Sequence, residues 1–245
     1  MKIPGTSNNI NALLAEVGTD YFDLLFYHYP FSMFDSKAQL EQSWIHMTEL
    51  PKATVKRIGV SNFYASHFTK LFDVCQELNL QKPFANEIQI NPYVFCLEKN
   101  TLDLCFQNSI QLIAYSPLGF NAAFIVLKDK VMQSIAEKLG ITTAQLTLAW
   151  LLSKRICFIP KSNNILRQEK TLLPRTLSIM SYTFLMTWTR SQKVKIPEPT
   201  YSILLKNPRK TPTDCAGRSG MMMISIYCGY LGSLAKVLAF FPLTF

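Results

Sequence analysis

Neither a Gly-x-Gly-x-x-Gly stretch nor a Gly-x-x-x-x-Gly-Lys-Ser/Thr stretch occurs in this sequence, and glycine is scarce, with 9 in 245 residues. A Rossmann or P-loop nucleotide site therefore has no phosphate-cradling turn to start from. The six cysteines (Cys75, Cys96, Cys105, Cys157, Cys215 and Cys228) form no Cys-x-x-Cys pair, and with only three histidines no metal-ligand spacing arises. A zinc module is excluded, no metal site is expected, and the cysteines read as buried free thiols of a reducing compartment. The first residues, MKIPGTSNNINALLAEVG, lack the continuous apolar stretch of a signal peptide, so a cytoplasmic location is expected.

Acidic residues are also scarce, but only in one part of the chain. Through Arg167 there are 15 Lys and Arg against 13 Asp and Glu, whereas from Gln168 onward there are 10 against 3. The net charge of +9 thus belongs to the tail, and the body carries no basic footprint for nucleic acid. The last stretch, from Met221, is apolar but interrupted by Lys236, Gly229, Gly232 and Pro242. A spanning helix needs about 20 mostly apolar residues, and residues 221–245 are a weak candidate for one. No membrane association is expected.

What is present is an alternation of apolar, β-rich runs with helical patterns. The runs are Phe22–His28, Val55–Val60, Phe84–Ile90, Gln111–Tyr115 and Cys157–Ile159. Between them lie helical segments Ser36–Leu50, Ala65–Leu78, Thr101–Asn108, Lys130–Leu139 and Thr143–Leu152. Ser36 with Gln39 and Thr142 with Gln145 have capping-box spacing, and Gly140 stands where a helix needs a left-handed terminator. Strands apolar on both faces and joined by helices make a buried parallel sheet, either open or part of an eight-stranded barrel. Polar residues at the strand ends favour the barrel: His28, Ser61 with Asn62, Glu87 with Gln89, Tyr115 with Ser116, and Lys161 with Ser162. The expected class is α/β, a partial (β/α)8 TIM barrel of about five βα units over residues 1–167. Residues 168–245, with irregular prolines and no sustained period, are expected to be an irregular tail.

Four segments in order, DYFDLLFYHYP (Asp20–Pro30), IGVSNF (Ile58–Phe63), AYSPLG (Ala114–Gly119) and IPKS (Ile159–Ser162), resemble the aldo-keto reductase family. SWIHMTEL, NEIQINPY and IAEKLGITTAQLTLAWLL fit the same family at the expected places, so the likeness runs from about Ala15 to Arg167. The resemblance implies an NADPH-dependent oxidoreductase reducing aldehydes and ketones, here a truncated member covering the family's fourth to eighth barrel strands. It implies that His28 is the catalytic histidine, with Tyr29 in place of the family's tryptophan. Ser61 and Asn62 match the pair holding the nicotinamide carboxamide. Tyr115 matches the residue stacked on the nicotinamide ring, and Ser116 and Leu118 those along the pyrophosphate. Lys161, Ser162, Asn164 and Arg167 match the group around the adenosine 2′-phosphate. A lysine point charge, a hydroxyl and an arginine fork suit a dianionic phosphate and so NADP rather than NAD.

Two departures matter. Glu87 stands where the family has a neutral glutamine, and an ionised carboxylate cannot donate to the amide oxygen, which implies weakened cofactor binding. Lys170 and Thr171 replace the family's Glu-Asn pair for the adenine. The family's aspartate, tyrosine and lysine have no match among the 27 residues before His28. Loss of a general acid alone costs about 10²–10⁴-fold in rate. An impaired reductase of small carbonyl compounds is therefore expected; a non-catalytic nucleotide- or partner-binding scaffold is the alternative. Five strands of a barrel would leave two free edges, through which self-association is expected.

Overall fold

A computed structural model describes residues 6–30, 32–119, 123–162, 164, 166–167, 222–226 and 235–239. Five parallel strands follow one another in chain order: β1 (Leu24–Tyr27), β2 (Ile58–Ser61), β3 (Ala85–Gln89), β4 (Gln111–Tyr115) and β5 (Cys157–Ile159). Helices α2 (Lys37–Thr48), α3 (Ala65–Glu77), α4 (Lys99–Gln107), α6 (Lys130–Lys138) and α7 (Thr143–Ser153) connect them. The α/β class and the partial barrel of about five βα units are as the sequence implies. Two helices lay outside that reading, α1 (Thr6–Val17) and the short α5 (Ala123–Lys128). The α1 helix puts Ile10, Leu13 and Leu14 into the main core.

Local chemistry sets the helix ends. Ser36 Oγ accepts from the Gln39 amide at 3.1 Å and starts α2. Thr142 and Gln145 satisfy each other's backbone amides at 2.9 and 3.2 Å, a complete capping box for α7. Gly140 follows α6 with φ +65°, a left-handed turn that costs a β-carbon residue strain. At α3 the His67 ring, expected simply on a helix, accepts from the Tyr64 amide through Nδ1 at 3.1 Å.

Alternation along the strands divides the apolar residues into two layers. Leu25, Ile58, Val60, Ile88, Leu112 and Phe158 face the helices, joining Trp44, Phe68 and Trp150 in the larger core. Leu24, Phe26, Ala85, Ile113, Cys157 and Ile159 form the second cluster on the inner face. Gly59 makes that layer possible, because a Cβ there would lie 2.8 Å from the Phe26 ring and 2.9 Å from the Ala85 carbonyl oxygen. The inner layer floors the barrel beneath the strand C-terminal ends.

Beyond Arg167, where an irregular tail is expected, the structure describes two short stretches. Met222–Ile226 (β6) and Ala235–Ala239 (β7) are strands of the same sheet, in the order β5-β4-β3-β2-β1-β7-β6. β7 runs parallel to β1, with Leu24 opposite Val237 and Leu25 opposite Leu238, and β6 runs antiparallel to β7. β6 then comes within 8 Å of β5, Cα to Cα, so the sheet curls almost into a ring. The edge of β1 expected to be free is therefore paired. The weak candidate for a spanning helix at residues 221–245 contains two strands instead, and no helix among the described residues is long and apolar enough to cross a membrane. Apolar β-branched and aliphatic residues in short runs suit either state, and pairing partners far away in sequence decide between them.

Cysteine is also more varied than the free-thiol reading. Cys75 and Cys105 are buried free thiols, Cys96 is an exposed one, and Cys157 is disulfide-bonded. Spacing carries no signal for a bond between distant cysteines. Lys170, Thr171, Cys215 and Cys228 lie outside the described residues.

Candidate functional site

Parallel pairing puts the C-terminal ends of β1 to β5 on one rim. Register then decides which side chains meet there. Tyr27 lies opposite Val60, so His28, one residue on, falls beside Ser61; Ser61 lies opposite Glu87, and Glu87 opposite Ile113. His28, Ser61 and Glu87 thus form a polar row directly above the inner apolar layer, and Tyr115, opposite Gln89 and Ile159, stands one step higher.

Asn62 ties the rim together. Its φ of +61° is left-handed, a conformation Asn adopts more readily than most residues. Its backbone amide donates to the Glu87 carbonyl oxygen at 2.9 Å. Its Nδ2 donates to the His28 carbonyl oxygen at 3.0 Å and to Ser61 Oγ at 3.1 Å. Its Oδ1 accepts from the Tyr115 hydroxyl at 2.9 Å. Ser61 Oγ in turn donates to the Glu87 carbonyl oxygen at 3.0 Å. One buried asparagine therefore couples the ends of β1, β2, β3 and β4.

Glu87 is the unusual member. It is 5% exposed, and its Oε2 has no hydrogen-bond partner among the described residues. Burial pushes its carboxyl up to about 7. Burial likewise lowers His28, whose ring stands edge-on to Tyr29 at 4.2 Å between centroids, and so favours the neutral imidazole. The Tyr115 hydroxyl is pushed up to about 12 by burial and then by the neighbouring Tyr29, Tyr64 and Glu87. At neutral pH it is a phenol, a donor fixed on Asn62.

Tyr29 and Tyr64, both exposed, thus adjoin Tyr115 at the rim. Tyr64 carried no signal in the sequence reading; its place directly after Ser61-Asn62-Phe63 is the clue that could have found it.

Bookkeeping of donors and acceptors limits what the row can bind. Both protons of Asn62 Nδ2 and the protons of Ser61 Oγ and Tyr115 are already committed. What remains on Ser61, Asn62 and an ionised Glu87 is acceptor capacity. Such a set fits the NH2 end of a carboxamide, which brings two donors to a buried acceptor lacking a partner.

The remaining expected residues lie along the rim after β4 and β5. Ser116 opens a turn at φ +47° and accepts through its carbonyl from the Gly119 amide at 2.9 Å. Leu118 packs its side chain on the larger core, which leaves backbone groups for any ligand. After β5, Ser162 Oγ accepts from the Asn164 amide at 3.2 Å, and Asn164 Oδ1 accepts from the Arg167 amide at 3.1 Å. Ser162, Asn164 and Arg167 are thereby folded into one turn, with Lys161 exposed at its start.

The family model described as Aldo/keto reductase family matches residues 2–181, beginning before and ending beyond the stretch that carries the resemblance. A 9,11-endoperoxide prostaglandin H2 reductase of Trypanosoma cruzi is 33% identical over 150 residues, 60% of this chain and 49% of that protein. A glycerol 2-dehydrogenase (NADP(+)) of Hypocrea jecorina is 31% identical over 175 residues, 61% of this chain and 53% of that one. An aldo/keto reductase crystal structure from Brucella melitensis superposes with a TM-score of 0.60 at 28% identity, covering 74% of this chain and 66% of its own. The chain spans about half the length of these curated relatives. With the matched region taking in every strand from β1 to β5 and the whole polar row, the chain belongs to the aldo-keto reductase family.

Proposed function

We propose that this chain binds NADP(H) along the rim and turns the His28 end of the row toward an aldehyde or ketone. The observation that carries the reading is the Asn62 network, which leaves buried acceptors aimed at one place and suited to a carboxamide. A relative named for NADP(+) agrees with it. When bound, the cofactor supplies hydride for reduction of a carbonyl carbon. Ser61, Asn62 and Glu87 hold the amide end, Tyr115 presents its ring, and Ser116 with the Leu118 backbone lies along the phosphates. The turn at Ser162, Asn164 and Arg167, with Lys161, takes the 2′-phosphate. A neutral His28 donates a hydrogen bond that orients the substrate oxygen, and Tyr29 and Tyr64 shield it from water.

Proton delivery sets the limit. Tyr115 is pushed up to about 12 and its proton is engaged by Asn62, so it is a poor acid at neutral pH. Among the described groups of the row none is a ready general acid, so reduction by this row is slow. NADPH fluorescence titration and reduction of a simple aldehyde by the purified chain test both parts. Saturable quenching with slow reduction supports the proposal. Quenching with no reduction favours the non-catalytic binding scaffold. Absence of quenching sinks the nucleotide site, and turnover at rates ordinary for enzymes, about 10 s⁻¹, sinks the claim of impairment.

A further inference from the structure

We propose that Glu87 makes this site discriminate between the redox states of the nicotinamide, its carboxylate favouring the cationic oxidised ring and its carboxylic acid the neutral reduced ring. The inference rests on the nucleotide reading above and adds a regulatory property of the same site. It belongs to this chain in particular, because Glu87 occupies a position where the resemblance calls for an uncharged amide.

The geometry is that of a buried charge without a counterion. Glu87 projects from the middle of β3 into the barrel, flanked by Ser61 on β2 and Ile113 on β4. Neither neighbour carries charge. Its Oε2 has no partner, and no ion pair among the described residues includes it. The titratable group coupled to it is Tyr115 at the end of β4, which Tyr29 after β1 and Tyr64 after β2 adjoin in turn, and His28 lies one strand further along the row, beside Ser61. None of these supplies a permanent positive charge. Among the described residues, then, an ionised Glu87 has no cation beside it, and an oxidised nicotinamide ring would supply one. Two opposite charges in contact at an effective dielectric near 20 attract strongly enough to change an affinity by about two orders of magnitude or more, and partial hydration lowers this to about tenfold.

The reduced ring brings no charge, and its carboxamide oxygen needs a donor. With the protons of Ser61, Asn62 and Tyr115 committed and the His28 N–H turned to the substrate oxygen, protonated Glu87 is the donor left for the carboxamide. Raising pH through the range where Glu87 ionises, centred near 7, thus withdraws a donor from the reduced form and presents an anion to the oxidised form. Acidification loads the site with the hydride donor; alkalinisation retains the oxidised product.

The experiment is calorimetric titration of the full chain with NADPH and with NADP+ from pH 6 to pH 8.5, with no substrate present. The ratio of the two dissociation constants, reduced over oxidised, cancels titration of the 2′-phosphate common to both ligands. The expected result is a rise of about tenfold across the range, and a flat ratio in Glu87→Gln. Protonation of His28 would move the ratio in the same direction, so His28→Gln is measured alongside and is expected to keep the rise. A flat ratio in the wild-type chain, or a rise that survives in Glu87→Gln and vanishes in His28→Gln, overturns the inference while leaving the nucleotide site standing. Absence of binding by either ligand at every pH overturns both.

Discussion

Replacing Glu87 with glutamine is expected to stabilise the ligand-free protein, and to do so only where the carboxyl would be charged. The side chain is 5% exposed, and burial raises its carboxyl from 4.5 to about 7. In the unfolded chain it titrates normally, so between those values the folded state binds more protons and stability falls as pH rises. Below 4.5 both states are protonated and there is no penalty; above 7 the penalty is complete. At about 1.4 kcal/mol per pKa unit the ceiling is about 3 kcal/mol. Glutamine keeps the shape but leaves polar atoms in the same pocket, at a cost of about 1–2 kcal/mol. The net gain expected at pH 8 is about 1–2 kcal/mol, shrinking to nothing or reversing at pH 4.5. Urea unfolding at the two pH values, with the slope m unchanged between proteins, reads it directly. Equal destabilisation at both pH values would mean that the carboxylate has a favourable partner in the folded state, and the reasoning about an uncompensated charge would fall.

Lys154, 4% exposed at the end of α7, presents the opposite case. Burial lowers its ammonium to about 8, while the Phe95 and Trp150 rings, at 4.6 and 5.2 Å, return part of the loss. Its unfolded form holds a proton up to about 10.5, so stability should rise with pH between the two values, and Lys154→Met should gain about 1–2 kcal/mol at pH 7 and little at pH 10 by urea titration. Asn62→Gly keeps the left-handed backbone but removes the side-chain hydrogen bonds to His28, Ser61 and Tyr115. A loss of about 2–3 kcal/mol in thermal or urea unfolding is expected, with NADPH quenching weakened at least tenfold under conditions where the variant is folded; unaltered quenching would show that the network does not shape the site.

The fold was legible wherever a local pattern and a buried face agreed. The Thr142–Gln145 box, the Gly140 terminator and the five apolar runs each report on a few neighbouring residues, and each lies where its physics puts it. The strands beyond Arg167 were not legible for the converse reason. Met222–Ile226 and Ala235–Ala239 contain apolar residues that a helix could equally accommodate, and it is the edge of β1, some 200 residues away, that makes extension favourable there. Burying that edge satisfies a row of backbone groups that the isolated five-stranded sheet would leave exposed. Pairing over such a separation leaves no imprint on the sequence of either partner.

The site divides along the same line. Residue types at strand ends identified which side chains gather at the rim, because alternation and parallel register carry them there together. What each then contributes depends on its neighbours' remaining hydrogen-bond capacity, and that is a property of the assembled rim alone. Asn62 is matched in the sequence to a carboxamide-holding pair, yet its two amide protons are consumed by His28 and Ser61, which leaves it acceptor capacity alone. Leu118 looks like a wall of the phosphate site, yet its side chain belongs to the larger core. Glu87 reads as a defect beside a neutral glutamine. Once Ser61, Asn62 and Tyr115 have exhausted one another's protons, it becomes, with His28, a member of the row whose hydrogen-bonding character can still change. On the proposal above, the carboxyl that would weaken an amide contact in one protonation state is, for that reason, also the group through which pH would act on a bound nicotinamide.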